Sequence, residues 1–215
     1  DGEWLLADAA QWRPAAPYDL VFSNATLQWI PDHVGLIATL WAGVAPGGAL
    51  AVQVPANTGS PLHQALYRVS DAPRWRQAMA GCAELFTYLD APFYYDQLAG
   101  RARHLAVWAT TYYHVMADHA ALIEWSSSTA FRPYLERLAD ADARRAFLSD
   151  VLDACRADYP PQADGKVLFP FRRVFFIAYK PARGGAPGWD STGLWPCGSR
   201  ANGPTRAPIL GHSLG

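Results

Sequence analysis

Cysteine is scarce in this sequence. Only Cys82, Cys155 and Cys197 occur, far apart and without a CxxC pair. That argues against a disulfide framework or a zinc site, so no metal is expected, and free thiols fit a reducing cytoplasm. No apolar run reaches the length of a membrane span. The opening residues, Asp1-Gly2-Glu3, lack the basic stretch and apolar stretch of a signal peptide. They lack an initiator Met too, so the chain is expected to begin inside a longer protein. Excess charge of one sign is also missing: 18 Lys and Arg against 19 Asp and Glu leave a net charge of -1. No field therefore favours nucleic acid or an anionic membrane as a partner. Internal repeats are absent.

What is present is the composition of a globular protein. The 215 residues are 51% hydrophobic and 17% charged, which suits one domain, or one domain with an elaborated cap, around a sizeable core. The nine Trp serve that core or line a small-molecule pocket.

Along the chain, Trp4 to Ala7 and Asp19 to Asn24 are near-continuous apolar runs, as buried parallel strands are. Asp32 can cap a helix that carries Val34, Ile37, Ala38 and Trp41 at helical spacing, and Pro46-Gly47-Gly48 is expected to stop it. Ala49 to Pro55 is the third strand, and strand–helix–strand with short links implies a parallel crossover. The stretch 60–98 reads as helical, with one helix around His63 and Leu66, one from Pro73 through Met79, and one opened by Pro92. His104 to Tyr113 reads as a strand, Ala117 to Ser126 as a helix capped by Asp118, and Pro133 to Leu138 as a short helix. Asp140 to Asp158 is amphipathic, with Phe147, Val151 and Cys155 on one face. Val167 to Tyr179 is the final strand, expected to break at Pro170. Beyond Lys180 the chain is dense in Gly, Pro, Ser and Arg, and 181–215 reads as a disordered tail.

Three segments resemble the middle of a class I S-adenosylmethionine-dependent methyltransferase. They are Leu5-Leu6-Ala7-Asp8-Ala9 with Trp12 and Pro14, Tyr18 through His33, and Ala45-Pro46-Gly47-Gly48 through Pro55. Asn24-Ala25 with Gln28-Trp29 narrows the resemblance to trans-aconitate methyltransferases, as do Trp108 through His114 and Tyr159 through Leu168. The resemblance spans Asp1 to Lys180. It implies an α/β fold: a Rossmann-like sheet of order 3-2-1-4-5-7-6 that lacks its first two strands. A helical cap, with elements within 60–100 and 117–165, is inserted around the last two strands of a domain spanning 1–180. The family's Gly-rich GxGxG turn and the acidic end of its second strand have no counterpart here, so the missing piece is expected before Asp1.

The resemblance also implies residue roles. S-adenosylmethionine would be held by Asp8 and Ala9 at the adenine, by Asn24 and Ala25 near the sulfonium, and by Trp29 at the crevice mouth. A small polycarboxylate would be held by Arg132, Arg172, Tyr112, His114 and His63, because Arg offers a bidentate fork. A substrate carboxylate is already ionised near pH 7, so no catalytic base is expected. The implied activity is methyl-ester formation on an acid such as trans-aconitate, by a protein that is a monomer when complete. Other readings are a methyltransferase of another small molecule, or a non-catalytic fragment unable to bind cofactor. A dinucleotide oxidoreductase would need the same Gly-rich turn.

Overall fold

The chain alternates strands and helices. In the computed structural model, residues 6–184 and 209–210 are described. Their elements are β1 (Tyr18–Asn24), α1 (His33–Ala42), β2 (Val44–Pro55), α2 (Pro61–Ser70), α3 (Ala91–Leu98), β3 (His104–Met116), α4 (His119–Ser127), α5 (Arg132–Leu135), α6 (Ala141–Cys155), β4 (Val167–Tyr179) and β5 (Ile209–Leu210). One five-stranded sheet runs in the order β3-β4-β2-β1-β5. With β1, β2, β3 and β4 taken as the family's fourth, fifth, sixth and seventh strands, this is the expected order 4-5-7-6.

Parallel pairing sets Val21 against Leu50 and Asn24 against Gln53. The hydrogen bonds from Lys180 N–H to Gly48 C=O and from Ala56 N–H to Arg172 C=O advance in opposite directions, so β4 runs antiparallel to β2. Ring pairs Trp108–Phe175 and His114–Phe169 set β3 antiparallel to β4.

Helix starts follow local chemistry. The side chains of Asp32, Asp118 and Asp140 accept from the amides of Gly35, Ala121 and Ala143, which satisfies amides that have no helical partner. Ser60 caps α2 in the same way, from the amide of His63, and Asp90 starts α3 by accepting from the adjacent amide of Ala91.

Two units separate. The first holds Asp1–Val54, Leu89–Ala109 and Val174–Gly215; the second holds Pro55–Tyr88 and Thr110–Arg173. The first buries Val21, Leu50, Val52 and Phe176, with Leu36, Ile37 and Leu40 of α1. In the second, α2 packs on α6 through Leu62, Leu66, Phe147 and Val151. Strand β4 serves both cores with opposite faces: Val167, Phe169 and Phe171 are buried in the second unit, Val174, Phe176 and Ala178 in the first.

Four local expectations are corrected. Trp4 and Leu5 lie outside the described residues, but Leu6 and Ala7 belong to no strand, and Leu6 is 90% exposed. A strand needs a partner for its amides, and the second strand, the neighbour that the order 3-2-1-4 gives this segment, has no counterpart among the described residues; the β1 edge at Phe22 and Ser23 pairs with Ile209 and Leu210. Helix α1 ends before Pro46, at Gly43, whose amide bonds Thr39 C=O. Pro46-Gly47-Gly48 is a bulge inside β2: Tyr18 faces Val44 and Leu20 faces Ala49, so β2 advances five residues where β1 advances two. The Pro73 segment forms successive turns, Trp75 N–H to Ala72 C=O and Met79 N–H to Trp75 C=O, in place of a regular helix. Strand β4 runs unbroken through Pro170. β2 ends at Pro55 and Ala56 bonds Arg172, so at Pro170 only β3 flanks β4 and the missing N–H falls on an unpaired side. Of the tail, residues 185–208 and 211–215 lie outside the described residues.

Candidate functional site

Strands β1 and β2 run parallel, so both carboxyl ends open on one edge of the sheet, where open α/β folds bind ligands. Asn24 ends β1 and is exposed; Ala25 follows in the left-handed region, with φ 53°. It is the one such non-glycine among the described residues, and the conformation costs an L-residue about 1–2 kcal/mol. Neighbours hold it there. Ala25 N–H donates to Gln53 C=O at 3.0 Å, and the nearly buried Gln28 donates its Nε2–H to Ala25 C=O at 2.8 Å. Trp29, half-buried, closes the 3-10 turn Leu27–Trp29.

His33 anchors that turn from below. Its Nε2 lies 2.9 Å from Leu27 C=O and its Nδ1 3.0 Å from the Tyr94 hydroxyl, and both side chains are buried. Nε2–H donates to the carbonyl and the Tyr94 O–H donates to Nδ1. Burial lowers the His33 pKa, which keeps the neutral ring this pattern needs. Sequence reasoning missed both supports, because their partners lie 6 and 61 residues away. Asp8 is exposed at the head of a turn, its Oδ1 accepting from Ala10 N–H at 2.9 Å, with Ala9 half-buried beside it. These five residues, Asp8, Ala9, Asn24, Ala25 and Trp29, all belong to the first unit. A cavity of about 450 Å³, lined by Arg13, Pro17, Ala38 and Gly43 among others, lies at the opposite end of β1.

The residues expected to hold an acid all fall in the second unit. Tyr112 and His114 share one face of β3. The register set by His114–Phe169 puts Phe171 and Arg173 on the matching face of β4. Arg173 lies 4.7 Å over the Phe171 ring, and His114 lies 5.6 Å from the same ring. Burial, with Arg173 nearby, lowers the His114 pKa, and burial lowers that of Arg173 against the pull of Tyr112. Arg172 alternates onto the other face. Arg132 is bound to Glu136 at 2.7 Å along α5. His63 lies in α2, 4% exposed, its Nδ1 3.0 Å from Ser60 Oγ. The structure thus groups Tyr112, His114 and Arg173, with Arg132 and His63 on separate helices.

No protein-family profile matches the chain. Among curated proteins it is 45% identical over 178 residues to a trans-aconitate 2-methyltransferase of Azoarcus sp. (strain BH72), covering 83% of this chain and 69% of that protein. Proteins of the same name are 43% identical in Methylobacterium radiotolerans, over 82% of this chain and 69% of the relative, and 41% identical in Rhodopseudomonas palustris (strain BisB5), over 83% and 70%. At this identity and coverage, the chain belongs to the trans-aconitate 2-methyltransferase family.

Proposed function

We propose that this protein transfers the methyl group of S-adenosylmethionine to a carboxylate oxygen of trans-aconitate, forming a methyl ester. The observation that carries the reading is the 45% identity to a trans-aconitate 2-methyltransferase across 69% of that protein. The first unit carries the part of a cofactor site that lies beyond the family's Gly-rich turn. It offers an exposed carboxylate at Asp8, small residues at Ala9 and Ala25 that let a ligand approach the backbone, and a half-buried aromatic at Trp29. Bound there, S-adenosylmethionine supplies an electrophilic methyl group next to a positive sulfur.

The protein's own residues bind, orient and exclude water. Asp8 would accept from the adenine amino group and Ala9 would donate its backbone N–H. Asn24 and Ala25 would border the sulfonium, and the Trp29 ring face would attract it. The attacking carboxylate is ionised near pH 7, so no residue has to remove a proton. Rate comes from holding oxygen, carbon and sulfur in line in a dry site. On the acid side, Arg173 beside Tyr112 and His114 offers a cation for a second carboxylate. The buried free thiols Cys82 and Cys155 suit a reducing compartment, the cytoplasm.

The test is a panel of di- and tricarboxylates, with methyl-ester formation followed by mass spectrometry. Trans-aconitate should give the highest kcat/KM and a single methyl ester. Turnover confined to an unrelated small molecule would replace the substrate assignment. Cofactor binding with no turnover of any acid would leave a binding protein.

A further inference from the structure

The second unit buries more uncharged donors than its fold uses. Ser60 caps α2 by accepting from His63 N–H, and its hydroxyl also lies 3.0 Å from His63 Nδ1. With the Ser60 proton on that contact, Nδ1 accepts and Nε2 carries the ring hydrogen. Nε2 is buried and has no hydrogen-bond partner among the described residues. The His63 ring lies 6.5 Å from that of Tyr67 and 6.4 Å from that of Tyr88. Tyr134 lies near enough to Tyr67 and Tyr88 to couple electrostatically with both. It is 0% exposed, and its hydroxyl also lacks a partner among the described residues. Tyr67 and Tyr88 are only half-buried, so the cluster reaches the surface through them.

Such polar atoms are seldom left unmade in a core, and each one that is calls for an explanation. Two lie beside the same pair of phenols, Tyr67 and Tyr88. Burial keeps the whole set uncharged at neutral pH: it pushes His63 down to about 4 and the three phenols above their usual range. The cluster therefore presents donors without a cation. A carboxylate, which only accepts, is the complementary ligand.

We propose that His63, Tyr67, Tyr88 and Tyr134 form a neutral subsite for one carboxylate of the polyacid, with Nε2–H and the phenolic hydroxyls donating to its oxygens. This rests on the reading that the protein acts on such an acid. It adds a selective element, because a carboxylate that is already an ester or amide offers fewer acceptors and no charge to this set.

The experiment compares wild-type protein with Tyr134→Phe and Tyr88→Phe. Trans-aconitate and cofactor affinities are measured by calorimetry, and folding by thermal melts. Each variant should bind trans-aconitate roughly tenfold more weakly, the size of one lost charge-assisted hydrogen bond, with cofactor affinity unchanged. Tyr134→Phe should melt at or above the wild-type temperature, because it removes a hydroxyl that no described residue pairs. Unchanged acid affinity in both variants, with wild type binding the acid, overturns this subsite alone. A lower melting temperature for Tyr134→Phe with unchanged acid affinity assigns the hydroxyl to the core and overturns it too. Wild-type protein that binds no polycarboxylate overturns the subsite together with the functional reading beneath it.

Discussion

At the scale of single residues, His63 shows how burial turns a common side chain into a pH-dependent one. Its ring titrates near 4 when folded, against about 6.5 in an unfolded chain. Between those values the unfolded chain holds a proton that the folded chain has released, so acid favours unfolding. Stability contributed by the neutral ring is complete above pH 6.5 and is lost as pH falls toward 4, by about 3 kcal/mol. Urea unfolding at pH 7 and pH 4.5 should show the loss, and His63→Gln should flatten it. The same pH slope in the variant would remove His63 as its source, leaving His33 and His114, whose pKa values burial also lowers. Little of this was legible beforehand. The sequence puts His63 on a helix, but its closure by a packed aromatic shell depends on Tyr88, far along the chain. Arg172 was named for the acid, with no means of weighing it against its neighbour Arg173. Alternation says they face opposite ways, but only the register with β3 says which of them meets Tyr112 and His114.

At the scale of elements, what the sequence revealed was local. Asp32 and Asp118 were readable as caps because the amide each satisfies is three residues on, and Asp140, read only as the start of an amphipathic helix, caps α6 in the same way. The Pro46-Gly47-Gly48 turn was misread because its partner is a neighbouring strand. An ideal Cβ at Gly48 would sit 2.6 Å from Asp19 C=O and 3.0 Å from Ala45 C=O. Both contacts are backbone, so no rotamer change relieves them. At Gly47 φ is 83°, but the space around it is open. Gly48→Ala is expected to cost about 2–3 kcal/mol, as an overpacked site does. Gly47→Ala should cost only about 1–2 kcal/mol of backbone strain. Chemical denaturation of the two variants checks the order, and a larger loss at Gly47 would contradict the bulge as described.

At the scale of the whole molecule, strand order and the parallel β1–α1–β2 crossover were legible from resemblance and spacing, while the division into two units was not. No composition change marks the boundaries at Val54, Tyr88, Ala109 and Arg173. Three of them, Val54, Ala109 and Arg173, fall inside strands, and Tyr88 falls in the irregular stretch before α3; β4 changes its buried face where it passes from one core to the other. Such a boundary belongs to packing, and periodicity read one segment at a time does not detect it.

The interleaving of the units has a consequence for synthesis. A chain leaves the ribosome from its amino end, and domains tend to fold as soon as they are complete. The second unit is complete once Arg173 has emerged, whereas the first still waits for Val174 onward to supply the rest of β4. Nascent chains arrested with Arg173 just clear of the exit tunnel should therefore resist proteolysis around Phe147 and Val151 while remaining cleavable around Val21 and Leu50. Simultaneous protection of both regions, at longer lengths only, would refute this order. During translation the half that carries the residues proposed to hold the acid would thus stand folded before the half that carries those proposed to hold the methyl donor, and a pause in translation after Arg173 would lengthen the time the β1–β2 strands spend unshielded in front of chaperones.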